Sequence, residues 1–219
     1  AIPLFIFMAS MLEKSGVIEE VFDVAYKWLG RIPGGLAVAT VVASTVLAAM
    51  VGVIGAAVVT MALVALPSML RRGYSPVLAV GTVMAGGTLG ILIPPSVLAI
   101  VYGLVANQSV GELYLGSVFP GLVLSGLYIL FSVGYALLNP KAAPRLSPEE
   151  TPTWSERWRA LRSIWSPLVL IFLVLGTIFL GLAAPTEAAA IGAFGAMVVA
   201  AIHRRLSWTI LRLALEQTA

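Results

Sequence analysis

Long uncharged stretches alternate with short charged clusters along the chain. Three of the uncharged stretches contain no Asp, Glu, Lys or Arg: residues 36–70, 76–106 and 118–138. A helix of about 20 apolar residues is long enough to cross a hydrocarbon core of about 30 Å. The stretches lack the strict alternation of apolar and polar positions that barrel strands show. This pattern predicts an all-α, polytopic membrane protein.

Composition supports a bilayer environment. Of the 219 residues, 60% are hydrophobic and 11% are charged, and the mean hydropathy is +1.02. Soluble domains are about 45–50% apolar. The net charge of +3 fits the Lys/Arg excess of cytoplasmic loops better than nucleic-acid binding, so we expect no nucleic-acid partner. The absence of cysteine excludes disulfides and thiolate metal sites within this sequence.

The N-terminal part predicts a membrane helix followed by a surface helix. Residues 3–12 resemble the end of a crossing, and residues 17–29 place apolar side chains at helical spacing between charged ones. The first residues lack a basic segment, so we expect no signal peptide. The apolar start and the helical end at Ala219 suggest an internal fragment of a longer protein.

Residues 36–70 are too long for one ordinary crossing, and Gly52 and Gly55 lie near their middle. Two tightly joined crossings or a re-entrant hairpin of two half-length helices both fit this length. Basic residues flank both ends, which places both ends on the cytoplasmic side in either solution. These residues are Lys27, Arg31, Arg71 and Arg72.

Residues 76–106 predict a discontinuous membrane helix. Residues 86–90 read Gly-Gly-Thr-Leu-Gly and residues 94–96 read Pro-Pro-Ser. Proline removes a backbone donor and glycine tolerates unwound backbone, so we expect the helix to break here. A short interfacial stretch, residues 107–116, then precedes a crossing over residues 118–138.

The polar stretch 139–167 is predicted to be a cytoplasmic linker. It is rich in proline in its first part, and residues 154–165 predict a short amphipathic surface helix. The linker separates residues 1–138 from residues 168–219. In the second part, residues 168–182 and 186–202 cross outward and back. This topology places every basic cluster on the inner side.

The two interruptions are the candidate sites. Unwound backbone in hydrocarbon leaves unpaired amides and carbonyls, so it survives only against protein or an aqueous cavity. In secondary transporters such breaks hold sodium through carbonyls and anionic substrates through helix N-termini. The alternative is that the glycines serve helix packing and the threonines bond to their own helices. The candidate residues are Gly52, Gly55, Thr60, Gly87, Thr88, Gly90, Pro94, Pro95 and Ser96.

Few other residues suggest chemistry. Thr186 and Glu187 predict a helix start, with Thr186 as N-cap and Glu187 in the first turn, and Glu187 is alternatively a coupling carboxylate. His203 is a lone interfacial histidine, which is too little for a metal site. Ser/His/Asp sets, histidine clusters and phosphate-binding Gly-Lys-Ser motifs are missing from the sequence, so we expect neither an enzyme nor an ATP-driven pump.

Four motifs together resemble the large membrane (M) subunit of TRAP transporters, the DctM-like family. They are Pro33-Gly34-Gly35-Leu36-Ala37, the run Leu66 to Tyr74, the run Gly87 to Ser96 and the Pro-Thr-Glu-Ala-Ala stretch that begins at Pro185. The resemblance covers essentially the whole chain. It implies an elevator-type transporter of inverted repeats in the bacterial inner membrane, of which the chain holds the first repeat and the start of the second.

The resemblance also implies sodium as the coupling ion, a small membrane (Q) subunit and a periplasmic substrate-binding (P) protein. The hairpin and the broken helix would contribute the sodium site and part of the substrate path, while a second hairpin would lie beyond Ala219. Many relatives have a serine-rich hairpin tip, but residues 52–55 read Gly-Val-Ile-Gly here. Backbone carbonyls near Gly52, Gly55, Gly87 and Thr88 would therefore bind sodium, and no organic cofactor is expected.

These expectations combine into one function and one alternative. The chain would be the permease subunit of a sodium-coupled transporter for small organic acids such as C4-dicarboxylates. The alternative is a non-transporting scaffold or assembly subunit, in which the breaks are packing devices only.

Overall fold

The computed structural model describes residues 1–145 and 152–218 and shows only helices and connecting loops in these ranges. The predicted linker residues 146–151 lie outside the described part. The helices are α1 (Ile2–Lys14), α2 (Val17–Leu29), α3 (Gly35–Val51), α4 (Ile54–Arg71), α5 (Pro76–Leu92), α6 (Val97–Ala106), α7 (Val110–Leu138), α8 (Trp154–Ser163), α9 (Trp165–Phe179), α10 (Pro185–Ile202) and α11 (Trp208–Thr218).

Several of these elements are long and apolar enough to cross a membrane. They are α4, the pair α5 and α6 taken as one span, α7 and α10. The pair α8 and α9 makes a fifth if its 47° bend belongs to a single span. Helix α3 is apolar but has 17 residues, about 26 Å of helix. The chain is therefore an all-α polytopic membrane protein, as the hydropathy pattern predicts.

Helices α3 and α4 form an antiparallel hairpin. At its open end, the buried hydroxyl of Tyr74 accepts a hydrogen bond from the backbone N–H of Leu36 at 3.2 Å, which joins the start of α3 to the end of α4. At its tip, Gly52 turns the chain in the left-handed conformation with φ +63°. The tip meets the chain between α5 and α6, partway along that span. The antiparallel pair fits both solutions that the sequence allowed, because α4 is itself long enough to cross, and the re-entrant hairpin stays a prediction.

Helix α5 packs closely against both arms of the hairpin because glycines line its contact face. A methyl group at Gly86 would overlap the Ser44 side chain on α3, and one at Gly87 would overlap Val58 on α4. The helix continues through these glycines to Leu92, so the expectation that residues 87–92 are unwound is wrong. The break is confined to residues 93–96, where proline removes backbone donors.

Helix α7 also differs from the prediction. It begins at Val110, eight residues before the predicted start of the crossing at residue 118, and absorbs most of the stretch expected to be interfacial. Ser109 explains the early start, because its hydroxyl caps the helix by accepting the N–H of Glu112 at 3.4 Å. Along its length, α7 packs against α3 and α5.

The two ends of the chain pack together. Helix α1 contacts α10 and α11, and α10 also packs against α9. Gly192 allows the approach of α1, because a methyl group there would lie 2.6 Å from the sulfur of Met8. The surface helix α2 packs on α3 and on α8. The parts before and after the linker thus share one hydrophobic core.

His203 joins three elements just beyond the end of α10. Its Nδ1 lies 2.9 Å from the carbonyl of Val199 and its Nε2 lies 3.0 Å from the carbonyl of Ser163, which ends α8. The same Nε2 is 3.2 Å from Glu20 Oε2 on α2, and this contact is an ion pair rather than a hydrogen bond. Both ring nitrogens therefore face acceptors, which favours the doubly protonated ring.

Burial lowers the pKa of His203, but the two carbonyls and Glu20 outweigh it and raise the pKa above the usual value. The folded state therefore favours the imidazolium. This stabilisation is fully present below about pH 6.5, the pKa of an unfolded histidine, and is lost as the pH rises through the higher folded pKa.

We predict that the midpoint temperature of thermal unfolding of the wild type decreases when the pH is raised from about 6 to about 8. His203→Gln should remove this part of the pH dependence, because glutamine keeps a polar side chain that does not titrate. Melting curves of the full-length protein in detergent at both pH values measure the effect. Equal pH dependence in wild type and variant would contradict the assignment.

Candidate functional site

The tip of the hairpin lies directly against the break between α5 and α6. The backbone N–H of Val97 donates to the carbonyl of Gly52 at 3.3 Å. A methyl group at Gly52 would overlap the carbonyl oxygen of Pro95, so only glycine permits this approach. The structure therefore brings the two interruptions predicted from the sequence into contact.

Four helix ends converge at this contact. Helices α3 and α5 end here with their carbonyl groups, and α4 and α6 begin here with their N–H groups. The terminal turn of a helix leaves such groups without intrahelical partners and carries about half a unit charge, negative at the carbonyl end and positive at the amide end. The site thus offers oxygen ligands for a cation and amide donors for an anion.

The break is held in place from α6 and α7. Ser96 is fully buried and caps α6, with its hydroxyl 3.5 Å from the N–H of Ala99. The hydroxyl of Tyr114 on α7, also fully buried, donates to the carbonyl of Ser96 at 3.2 Å. Pro94 and Pro95 are buried too, and because proline has no backbone N–H, neither leaves a donor without a partner. These contacts satisfy part of the break and fix its position.

The other side of the tip is open. Val53 is 37% exposed, Gly55 is exposed, and a methyl group at Gly55 would meet no atom within 4 Å. The N-terminus of α4 is therefore open on one side, while its other side lies close to Gly90. Because the tip itself carries no hydroxyl or carboxylate, a cation there would bind to backbone carbonyls.

Of the remaining predicted residues, the two glycines of α5 face the hairpin and the two threonines lie away from its tip. Gly90 lies under the tip, where an added methyl group would be 3.7 Å from the backbone of Val53, and Gly87 packs against α4. Thr60 is buried on α4, further from the tip. Thr88 is turned toward α7, with its hydroxyl donating to the carbonyl of Ala85 at 2.7 Å and 3.3 Å from the hydroxyl of Tyr128.

Thr186 and Glu187 lie away from the tip, at the start of α10. The prediction that Thr186 is the N-cap is wrong, because the helix begins two residues earlier, with Ala184 as N-cap and Pro185 at its first position. The Glu187 carboxylate accepts the N–H of Ala184 at 2.8 Å, which satisfies a free donor of the first turn. The structure thus supports the helix-capping interpretation of Glu187.

Sequence reasoning missed Val53 and Tyr114. Val53 forms the extended link between α3 and α4, and Tyr114 anchors the break from 18 residues away. No local pattern marks Tyr114, because its role depends on how α7 folds back on α6. A polar aromatic residue close to a stretch rich in glycine and proline was the only available signal.

We predict that Gly52→Ala destabilises the fold, whereas Gly55→Ala leaves its stability unchanged or slightly higher. At Gly52 the left-handed backbone costs an alanine about 1–2 kcal/mol, and the overlap with Pro95 adds to it. At Gly55 the helix is regular and the space is open. Chemical or thermal unfolding of the full-length protein compares the two. Equal stability of both variants would show that the tip does not contact the break.

Comparison with known proteins finds relatives among TRAP transporter permeases. A relative described as a C4-dicarboxylate TRAP transporter large permease protein, from Vibrio cholerae, is 37% identical over 200 residues, 91% of this chain and 43% of that protein. An ectoine TRAP transporter large permease protein from Halomonas elongata is 32% identical, over 87% of this chain and 43% of that protein. An isethionate TRAP transporter permease protein, DctMQ, from Oleidesulfovibrio alaskensis is 32% identical, over 94% and 32% respectively.

The chain therefore spans less than half the length of these three relatives. The profile of the family described as "Tripartite ATP-independent periplasmic transporter, DctM component" matches residues 1–219. With the match extending over the whole chain, this protein belongs to the DctM family of TRAP transporter large permeases.

Proposed function

We propose that the chain is the central part of a permease subunit that couples uptake of a small organic acid to sodium entry across the bacterial inner membrane. The observation that carries the proposal is the contact between Gly52 and Val97, which brings four helix ends together inside the membrane. Such an arrangement supplies ligands of both signs without any charged side chain.

Sodium fits the carbonyl side of this site. Sodium is a hard cation that takes oxygen ligands, and the ends of α3 and α5 present backbone carbonyls on the buried side of the tip. The amide ends of α4 and α6 would then face an anionic group of the substrate. The open side of Val53 and Gly55 leaves room for a second hairpin, which would complete the site from the remainder of the full-length protein.

The substrate class rests on the relatives. Their names specify a C4-dicarboxylate, ectoine and isethionate, so the family accepts more than one solute. We expect a small organic acid, C4-dicarboxylates being the class named for the Vibrio cholerae relative. A periplasmic binding protein would deliver the solute, and a small membrane (Q) subunit would accompany the permease, either as a separate chain or fused to it as the name DctMQ suggests.

The interface between the hairpin unit and α7 supports a moving part and a scaffold. Only two hydroxyl pairs join α3 and α5 to α7 in the described part: Thr45 with Ser125 at 2.7 Å, and Thr88 with Tyr128 at 3.3 Å. Next to them lies a largely apolar cleft of about 570 Å³ between α5 and α7. In an elevator-type cycle the hairpin and α5 would slide along this sparsely bonded face.

The proposal predicts sodium-dependent uptake in proteoliposomes. The full-length permease, its small subunit and a binding protein loaded with a labelled C4-dicarboxylate should accumulate solute under an inward sodium gradient. Replacing sodium by potassium should reduce uptake to background, because the carbonyl site would then lack its ion. Uptake that is the same in both salts would contradict sodium coupling.

A matched pair of variants separates a transporter from an assembly scaffold. Gly90→Ala places a methyl group at ordinary contact distance under the tip, so it should fold and assemble normally. It should still reduce uptake roughly tenfold, because the methyl group fills space beside the tip that an ion or solute would need. Gly81→Ala on the same helix meets open space and should retain uptake. A scaffold would function normally with either substitution, as judged by assembly of the complex.

A further inference from the structure

The guanidinium of Arg157 on the surface helix α8 is buried without a hydrogen-bond partner on one edge. Arg157 is only 7% exposed, and neither Nε nor Nη2 has a hydrogen-bond partner. These two atoms carry the N–H groups of the same side of the guanidinium, which point in parallel and match two oxygens of one phosphate or carboxylate group. A buried charged donor left in this state is costly, so the edge indicates a missing oxyanion.

Three acidic side chains on α8 and on the neighbouring α2 contact other groups. Glu156, adjacent in sequence, accepts the N–H and the hydroxyl of Thr153 at 2.7 and 2.9 Å. On α2, Asp23 pairs with Lys27 at 2.6 Å, and Glu20 faces His203. None of these carboxylates is recorded in contact with Arg157 in the described part of the chain.

Tryptophan side chains lie close to Arg157. The ring of Trp154 lies 5.3 Å from Arg157 Cζ, and the indole N–H of Trp28 donates to the Arg157 carbonyl at 3.3 Å. Trp28 also packs edge-to-face against Trp154 and Trp158, with ring centroids 6.0 and 5.8 Å apart. Trp154 is 64% exposed and Trp158 is 57% exposed, and tryptophan favours the interface between headgroups and acyl chains.

The position along the chain agrees with this depth. Arg157 lies eight residues before Trp165, where the apolar helix α9 begins, which is about 12 Å of helix. The 47° bend between α8 and α9 shortens the distance along the membrane normal. In a topology in which the crossing begins at Trp165, this distance brings the guanidinium to the headgroup layer, which is roughly 5–8 Å thick on each side of the bilayer. The layer contains phosphate groups.

We propose that the corner between α2 and α8 binds one anionic phospholipid, whose phosphate accepts both hydrogen bonds from Nε and Nη2 of Arg157. Both atoms are covered in the lipid-free protein, so binding requires a shift of the side chains over them, including the exposed Trp154, which then packs along the lipid glycerol region. The exposed Arg159 and Arg162 on the same helix give α8 an excess of positive charge and favour an anionic headgroup. The site lies away from the hairpin tip and does not depend on the transported solute.

Native mass spectrometry of the full-length permease with its partner subunits tests the proposal. The complex is titrated in detergent with phosphatidylglycerol, with phosphatidylcholine and with inorganic phosphate. We expect phosphatidylglycerol to bind most tightly. Arg157→Gln should weaken that binding by about tenfold or more, because it removes a charge-assisted bidentate contact.

The control is Arg159→Gln, which removes the same charge from an exposed position of the same helix and should change the affinity less than about twofold. Arg157→Lys keeps the charge without the parallel donors and should fall between them. If Arg157→Gln lowers the melting temperature of the lipid-free complex, the affinity of Arg157→Lys for phosphatidylglycerol is compared with the wild type instead.

Four results would overturn the proposal. Equal losses for Arg157→Gln and Arg159→Gln would indicate a diffuse charge effect. Equal binding of phosphatidylcholine would remove the anionic preference, and displacement of lipid by inorganic phosphate would indicate a site for a soluble anion. Energetic coupling between Arg157→Gln and Glu149→Gln or Glu150→Gln in unfolding experiments would show that the chain's own carboxylate fills the site.

Discussion

The structure depends on covering backbone groups that broken helices leave unpaired inside a membrane. Each exposed amide or carbonyl costs several kcal/mol in hydrocarbon, so a break persists only where something else covers it. Here the two broken elements cover each other, since the hairpin tip at Gly52 contacts the segment before Val97. Tyr114 covers a third position, the carbonyl of Ser96. In the proposed function, the polar groups that remain would bind an ion and an anionic solute, which would link the stability of the fold to transport.

Small residues make this contact possible. Gly86 and Gly87 let α5 approach both arms of the hairpin. At position 52, only glycine can adopt the left-handed turn without overlapping Pro95. In a membrane, close packing of small residues replaces much of the hydrophobic drive that holds soluble helices together. The hairpin and α5 therefore form one tightly packed unit, whereas its face toward α7 has a cleft and only two hydroxyl pairs within the described residues. The elevator-type movement proposed above would use this face toward α7.

The sequence predicts the helical class, the surface helix α2 and the existence of both interruptions, because long uncharged stretches and clustered glycine and proline act locally. It misplaced the first part of the break, since a glycine that unwinds a helix and a glycine that packs a helix look identical without their neighbours. Gly87 belongs to the second kind, as its contact with Val58 shows. The start of α7 at Val110 has a local signal that the interfacial interpretation of residues 107–116 overlooked, namely Ser109 three residues before Glu112. The partner of Tyr114 was beyond sequence reasoning, because it depends on tertiary packing.

Thiol labelling at the hairpin tip tests the central claim most directly. Val53→Cys, in a full-length protein otherwise free of cysteine, places a partly exposed thiol beside the converging helix ends. If backbone carbonyls at the tip bind sodium, the rate of labelling by a water-soluble thiol reagent will fall in sodium compared with potassium. A cysteine at Leu138, exposed at the end of α7, will react equally in both salts. Identical rates at Val53→Cys in sodium and in potassium would contradict the account.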